Sequence, residues 1–437
     1  CVFSGGNPLF GFANFLLLAL FAAAVFDLIF ALARGGRLRG ALHGLWNTPH
    51  LLFGQQLAEW RLQLGRILFA AGLAAYEISV VFCNSMARQN WAWVQGVMSP
   101  VLEWLAFLCF GAKILFGTRY TWRELLAGGA LYFIARWVYF NSQNIWWIGI
   151  VVAVLAAKDV PLRRPLQVYF ASGCAAMAVV LALHFAGIVA PDLTSERMGA
   201  LRGTYGYGHP NTFGGLVFGL VLAYALLRAQ KVRWVDCLLV FAVGVFLLVG
   251  PASRSAALCT LALAVGLVFC RLRAGHSVPR WWPGTCAGMV GLTAAVSYLL
   301  PLLVIKVGPW NNDIGPAWLA KLDSLLTCRI SLTWMAYRLL DVKIAGQVFN
   351  WPTVDNSFAF ALFQFGPVVA ALLGILFAAA LWGHAKQGRR VEVCCLFAML
   401  AYAYMEVQPF HLTTNPTALL LCGAVFAQTS ARWQKIE

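Results

Sequence analysis

Three polar stretches stand between long apolar runs in this 437-residue chain, and their residue types suit anion binding and proton transfer. The first carries Arg197, Arg202, Tyr205, Tyr207, His209 and Asn211 in a glycine-rich run leading straight into an apolar segment. Pro210 fits the first turn of a helix, which puts His209 at or near the N-cap. Free N–H groups and the positive end of the dipole then face outward there, a natural anion site. The same dipole disfavours imidazolium and leaves His209 neutral, able to take a proton. The glycines let backbone approach a ligand closely. A plain glycine-rich turn in which His209 only caps a helix is the competing reading.

The second stretch is the tight turn 250–255, with Ser253, Arg254 and Ser255 between two apolar runs. An arginine in that setting is costly unless paired, so a functional role is the default. Snorkelling to lipid phosphates is the alternative. The third is the connection 306–356. Its segment 322–334, with Asp323, Cys328 and Arg329, has the spacing of a surface-lying amphipathic helix. Gly346 and Gln347 follow, and Asp355 and Asn356 precede the next run. Either of the last two would serve as an N-cap, a role that competes with catalysis. Glu406 ends a later apolar run, with His411 and Asn415 in the turn beyond it. Such end groups are usually solvated.

Together these residues suit one chemistry. Guanidinium groups grip phosphate oxygens in a bidentate fork, so Arg202, Arg254 and Arg329 would hold a diphosphate. The chain has no DxD motif and no cluster at metal-ligand spacing, so the arginines would neutralise the leaving diphosphate themselves. No metal and no cofactor are expected. An acceptor hydroxyl would be activated by His209 or by a carboxylate, with Asp355 and Glu406 the candidates. Tyr205, Tyr207, Asn211 and Asn356 would line the path of the bound molecule.

The elements that must position these residues are membrane spans. The chain is 61% hydrophobic and 11% charged, whereas soluble chains average about a quarter charged. Apolar runs fall at 10–33, 64–83, 91–115, 122–140, 144–157, 166–190, 211–228, 234–250, 255–270, 284–305, 357–382, 391–409 and 416–430. They lack period-2 alternation, which argues against a β-barrel. The fold class expected is an all-α polytopic membrane protein with twelve or thirteen transmembrane helices. Its N-terminal part, 1–60, joins one span to an interfacial or half-spanning stretch at 41–60. The run 10–33 is too long for a signal-peptide core and reads as a span. The core domain is 61–437.

Charge orients the spans. Of the 32 Lys and Arg, 22 fall in one set of alternating loops and nine in the other, with Arg136 inside a run. The rich set is cytoplasmic, and so is the C-terminus. The two longest polar connections, 191–210 and 306–356, are then extracytoplasmic. The net charge of +16 is explained by orientation, and no nucleic-acid partner is implied. Trp residues at run edges, such as Trp91, Trp93, Trp146, Trp147, Trp281 and Trp282, read as an aromatic belt. The twelve cysteines include no CxxC pair.

At the polar residues the chain resembles the O-antigen ligase/polymerase superfamily. The resemblance rests on Arg202 ahead of Tyr-Gly-His209-Pro-Asn211-X-Phe-Gly, on Ser253-Arg254-Ser255, on Leu-X-X-Arg329-Ile, on Gly346-Gln347, and on Val-Asp355-Asn356-Ser-Phe. It is nearest to the Wzy-type polymerases of capsular and exopolysaccharide repeat units. The segment 156–160, Ala-Ala-Lys158-Asp-Val, also resembles the cytoplasmic link before the sixth span of that family. The likeness covers about 62–430.

The resemblance implies a GT-C-type glycosyltransferase of the bacterial inner membrane, metal-independent and active on the extracytoplasmic face. Its substrate would be an undecaprenyl-diphosphate-linked oligosaccharide, with a chain-length regulator and a flippase of the same pathway as partners. The family's diphosphate arginines map to Arg202, Arg254 and Arg329, and the His of its His-Pro-Asn motif to His209. One departure is that related ligases carry an essential His in the large late loop, whereas 306–356 has none; this favours a polymerase. A ligase moving finished glycan to a lipid or wall acceptor is the alternative. A flippase would need charges along a central path, and only Glu77, Glu103 and Arg136 lie in spans away from the outer face.

Overall fold

In a computed structural model of the chain, the described residues are 22, 50–51, 58–189, 195–197, 200–305 and 315–426. The expected first span, 10–33, and most of the stretch 41–60 lie outside them, as do parts of the connections 191–210 and 306–356. The described chain is helical apart from two short antiparallel pairings, His50–Leu51 with Arg119–Tyr120 and Ser195–Arg197 with Ala200–Arg202.

Seven helices among the described residues are long and apolar enough to cross a bilayer: Glu59–Cys83, Val94–Phe116, Arg163–Phe185, Pro210–Leu227, Arg254–Leu272, Trp282–Leu303 and Pro367–Lys386. This is a multi-pass membrane protein. Ile145–Ala156 and Trp234–Val249 are apolar but shorter. Large side chains such as Leu238, Val249, Val265, Ile305 and Ile375 stand at least 65% exposed, the surface a bilayer covers and water would not tolerate.

The contacts divide the chain into two units. One comprises 1–136, 147–190 and 418–437, and the other 137–146 and 191–417. In the first, α1 (Ala58–Cys83) packs on α2 (Ser99–Phe116) and on α3 (Arg163–Phe185). Backbones touch where Gly65 meets Gly117, since a Cβ on either would strike the other residue's main chain. Lys158 pairs with Glu124 and Asp159 among buried groups, at 3.3 Å and 3.5 Å. Such charges persist in low dielectric only when paired.

The second unit holds all three polar stretches. Its main helices are α4 (Pro210–Leu227), α5 (Trp234–Val249), α6 (Arg254–Leu272), α7 (Trp282–Leu299), α8 (Ala317–Leu325), α9 (Arg329–Leu339), α10 (Pro367–Lys386) and α11 (Arg390–Met405). The apolar run expected to be one span at 357–382 is broken. A short helix Ser357–Phe360 passes into a π-turn Ala361–Phe365, and only after Gly366 does α10 begin. Pro367 cannot donate an N–H and restricts its predecessor. Gly366 meets that restriction at φ 87°, a backbone state open to glycine.

The amphipathic segment expected at 322–334 is likewise two helices, α8 and α9, meeting at Thr327 and Cys328 in left-handed conformation. The reason is Asp323. Its buried carboxylate accepts the N–H groups of Ile330 (2.7 Å) and Ser331 (3.1 Å) and the hydroxyl of Ser331 (2.8 Å). It thereby caps α9 from the end of α8 and fixes the place of Arg329.

Candidate functional site

Each of the helices in this unit that bears a candidate residue presents it at an end. Pro210 occupies the first turn of α4, and the two glycines after Phe213 let that helix sink against its neighbours. A Cβ on Gly214 would collide with the side chain of Ser253, and one on Gly215 with the amide oxygen of Gln408. Asn211 on this first turn therefore lies beside both the 250–255 turn and the segment after α11.

The centre of the site is Glu406, one residue beyond the end of α11 and 4% exposed. Three donors converge on its Oε1: Asn211 Nδ2 at 3.0 Å, Ser255 Oγ at 2.9 Å and Arg329 Nη2 at 2.9 Å. Arg329 Nη1 also pairs with Asp355 Oδ2. On the other side, Asn211 Oδ1 accepts from Arg202 Nη2 at 2.9 Å, and the same nitrogen reaches the carbonyl of Ala252 at 3.2 Å. Below Glu406 its own carbonyl accepts the hydroxyl of Ser357 at 2.6 Å. One connected chain thus runs Ala252–Arg202–Asn211–Glu406–Arg329–Asp355, drawn from five separate segments.

Burial pushes the Glu406 carboxyl above the ordinary carboxylate range and the Asp355 charge adds to this, while Arg329 and the Ser255 hydroxyl oppose it. The four charged side chains of the chain cancel. Arg254, beside Ser255 at the start of α6, is exposed and makes no hydrogen bond or ion pair with the described residues. It supplies the surplus positive charge.

The expected site residues divide accordingly. Arg202, Arg329, Asn211, Asp355 and Glu406 come together, and Arg254 adjoins them only as the sequence neighbour of Ser255, which donates to Glu406. His209 is exposed at the N-cap of α4, where its Nδ1 accepts the backbone N–H of Asn211 at 3.1 Å. A neutral ring so placed carries its proton on Nε2, which makes its outer nitrogen a donor. Asn356 is buried as the N-cap of Ser357–Phe360, accepting from the N–H groups of Phe358 and Ala359 and donating to Ser297. Tyr207 is fully buried. Tyr205, at φ 52°, stacks on Phe213 with centroids 5.0 Å apart and stays half-buried. Only Tyr205 of these last three keeps a face toward the surface.

Comparison with protein-family models, with curated proteins and with solved structures finds no match for this chain. Sequence reasoning did not single out Ser255, Ser357 or Gln408. Ser255 was visible only as the neighbour of Arg254. The pairing of Asn211 with Glu406 spans 195 positions, and no local pattern signals a contact of that separation. His411 was expected only as a solvated residue in the turn beyond Glu406. Its ring lies against Trp146 with centroids 3.9 Å apart and planes tilted by 44°, and burial pushes its pKa down to about 3, so the imidazole is neutral.

Proposed function

We propose that this chain polymerises undecaprenyl-diphosphate-linked oligosaccharide repeat units into a surface polysaccharide. The observation that carries the reading is the convergence of Arg202, Asn211, Ser255, Arg329 and Asp355 around the buried carboxylate of Glu406, with Arg254 exposed beside them. Guanidinium groups on both sides of a carboxylate pair suit a reaction in which a diphosphate leaves and a hydroxyl loses a proton.

In this reading the donor's diphosphate is held by Arg254 and Arg202 and by Arg329 once phosphate oxygens compete for it. Asp355, more exposed than Glu406, takes the proton from the acceptor hydroxyl. The acceptor oxygen bonds to the anomeric carbon as the bond from that carbon to the diphosphate oxygen breaks, and the lipid diphosphate departs. Glu406 positions Arg329 and Asn211. His209, with Nδ1 engaged in capping, donates from Nε2 to a phosphate oxygen. The catalysis is metal-independent, because the arginines carry the charge that a metal ion would otherwise neutralise.

The resemblance to the O-antigen ligase/polymerase superfamily supports the substrate class and a GT-C-like arrangement of twelve or thirteen crossings. The shorter apolar helices would supply crossings beyond the seven, and the expected span 10–33 lies outside the described residues. The resemblance also supports a bacterial inner-membrane location, and the distribution of basic residues supports an extracytoplasmic site and a cytoplasmic C-terminus. A ligase would use the same donor chemistry with a different acceptor.

Reconstitution tests this. Purified protein in lipid is given undecaprenyl-diphosphate-linked repeat units, and products are separated on a gel. A ladder of multiples that is lost in Arg202→Ala establishes the polymerase. Transfer only after a non-lipid-linked acceptor is added means a ligase. No turnover with any acceptor overturns the proposal.

A further inference from the structure

Resting on the glycosyl-transfer reading, we infer that Trp146 and His411 form a sugar-binding subsite beside Glu406, one that seats the glycan against their exposed ring surface by apolar contact and hydrogen bonding. Its place follows from three contacts. Trp146 lies stacked on Phe360 at 6.4 Å with the rings 20° apart, and Phe360 packs on Phe410 at 5.7 Å. Phe360 ends the short helix that Ser357 opens, and Ser357 is bonded to the carbonyl of Glu406. His411 stands at the end of the turn that Glu406 begins, held by its own N–H on the carbonyl of Gln408 at 2.8 Å. The indole is therefore anchored to the elements that carry Asp355 and Glu406.

The chemistry of the pair fits a sugar. A pyranose presents one face of C–H bonds and a rim of hydroxyls, so it binds where an aromatic face lies next to uncommitted polar atoms. Both rings are partly exposed, and neither side chain makes a hydrogen bond with the described residues. The indole N–H offers a donor, and a neutral imidazole offers one donor and one acceptor. A tryptophan that serves only as a membrane anchor needs no imidazole on its face. A histidine that serves only as core filler would be expected to spend a ring nitrogen on a buried partner, as most buried polar groups do. By contrast Tyr207 and Asn356 are enclosed and Asn211 is engaged at both ends of its amide, which leaves them little to offer a glycan.

The test uses the full chain in nanodiscs and two separate probes. One is undecaprenyl diphosphate alone; the other is the lipid-free oligosaccharide released by mild acid from the host's own polyprenyl-linked pool. Binding of each is measured for wild type, Trp146→Ala, Trp146→Phe, His411→Ala and His411→Gln, with monodispersity and Tm as the fold control. The expected result is that Trp146→Ala and His411→Ala each weaken oligosaccharide binding at least tenfold. Trp146→Phe retains part of it, and undecaprenyl diphosphate binding stays within twofold throughout. Undiminished oligosaccharide binding in well-folded Trp146→Phe, His411→Ala and His411→Gln overturns the subsite. Wild type that binds the diphosphate lipid but not the oligosaccharide overturns the subsite while leaving the proposed function standing. Wild type that binds neither overturns both.

Discussion

Arg329 is bound by Glu406 through Nη2 at 2.9 Å while its Nη1 pairs with Asp355. A guanidinium so committed has two carboxylates to yield before it can grip a phosphate. An incoming diphosphate must displace one, and Asp355, more exposed than Glu406 (side chains 21% and 6%), is the one that gives way. In the proposed reaction, donor binding would then free the carboxylate that deprotonates the acceptor. Asp355→Asn is expected to tighten undecaprenyl diphosphate binding severalfold, since Arg329 loses a competitor. It should also slow glycan transfer by about 10²–10⁴ through loss of the base. Binding by calorimetry and turnover by gel read the two effects separately, and weaker lipid binding in the variant would contradict this order of events.

Ionised Glu406 holds Asn211, Ser255 and Arg329 more strongly than its neutral form would. Burial raises its pKa, so the site loosens as pH falls through a value above the usual carboxylate range. Transfer should therefore decline toward acid earlier than an exposed carboxylate would dictate. Glu406→Gln removes the charge but not the shape, and is expected to leave a low rate without that acid limb. A kcat/KM profile between pH 4 and 8 would show it, and an acid limb unchanged in the variant would assign the titration elsewhere.

Two arginines that look alike in sequence are expected to separate. Arg254 is exposed and bonded to no described residue, so Arg254→Ala should leave Tm nearly unchanged, as surface substitutions do within about 0.5 kcal/mol, yet weaken diphosphate binding. Arg202 is 8% exposed and bridges Asn211 to the carbonyl of Ala252. Arg202→Lys cannot reproduce a guanidinium fork, and it should lower Tm as well as activity. Equal Tm losses in the two would show that Arg254 is structural.

Much of the fold could be read in the sequence because the period and length of apolar runs are local properties. Pro210 at a helix start followed from its fixed φ, and a cap at Asp355 or Asn356 from their side-chain acceptors, of which Asn356 is the one that caps. The break at Gly366–Pro367 and the turn at Thr327–Cys328 were hidden, since apolar spacing on both sides continued without interruption. At the site Arg254 was legible through its cost between apolar runs, and Arg202 and Arg329 through the fit of guanidinium to phosphate. Glu406 was undervalued because its worth comes from donors on three other segments. Trp146 passed as one of many edge tryptophans until His411 was found on its face.

Orientation has its own check in Cys328, which is half-buried at the start of α9. If the 306–356 connection lies outside, an impermeant maleimide should label Cys328 on intact cells in a background lacking the other cysteines. Labelling that requires permeabilised cells would invert the orientation.

Finally, Asp323 is expected to control Arg329 without touching substrate. Asp323→Ala strands the buried N–H groups of Ile330 and Ser331 and the hydroxyl of Ser331, all bonded to its carboxylate. Loss of such a cap costs about 2–4 kcal/mol, and the left-handed turn at Thr327 and Cys328 loses its tether. Asp323→Asn keeps an acceptor for the two amides and should lose less. If the turn is what aims Arg329, lipid diphosphate binding should weaken in the order Asn, then Ala, alongside Tm. An Asp323→Ala protein as stable and as active as wild type would mean that α9 holds its first residue in place without help from α8.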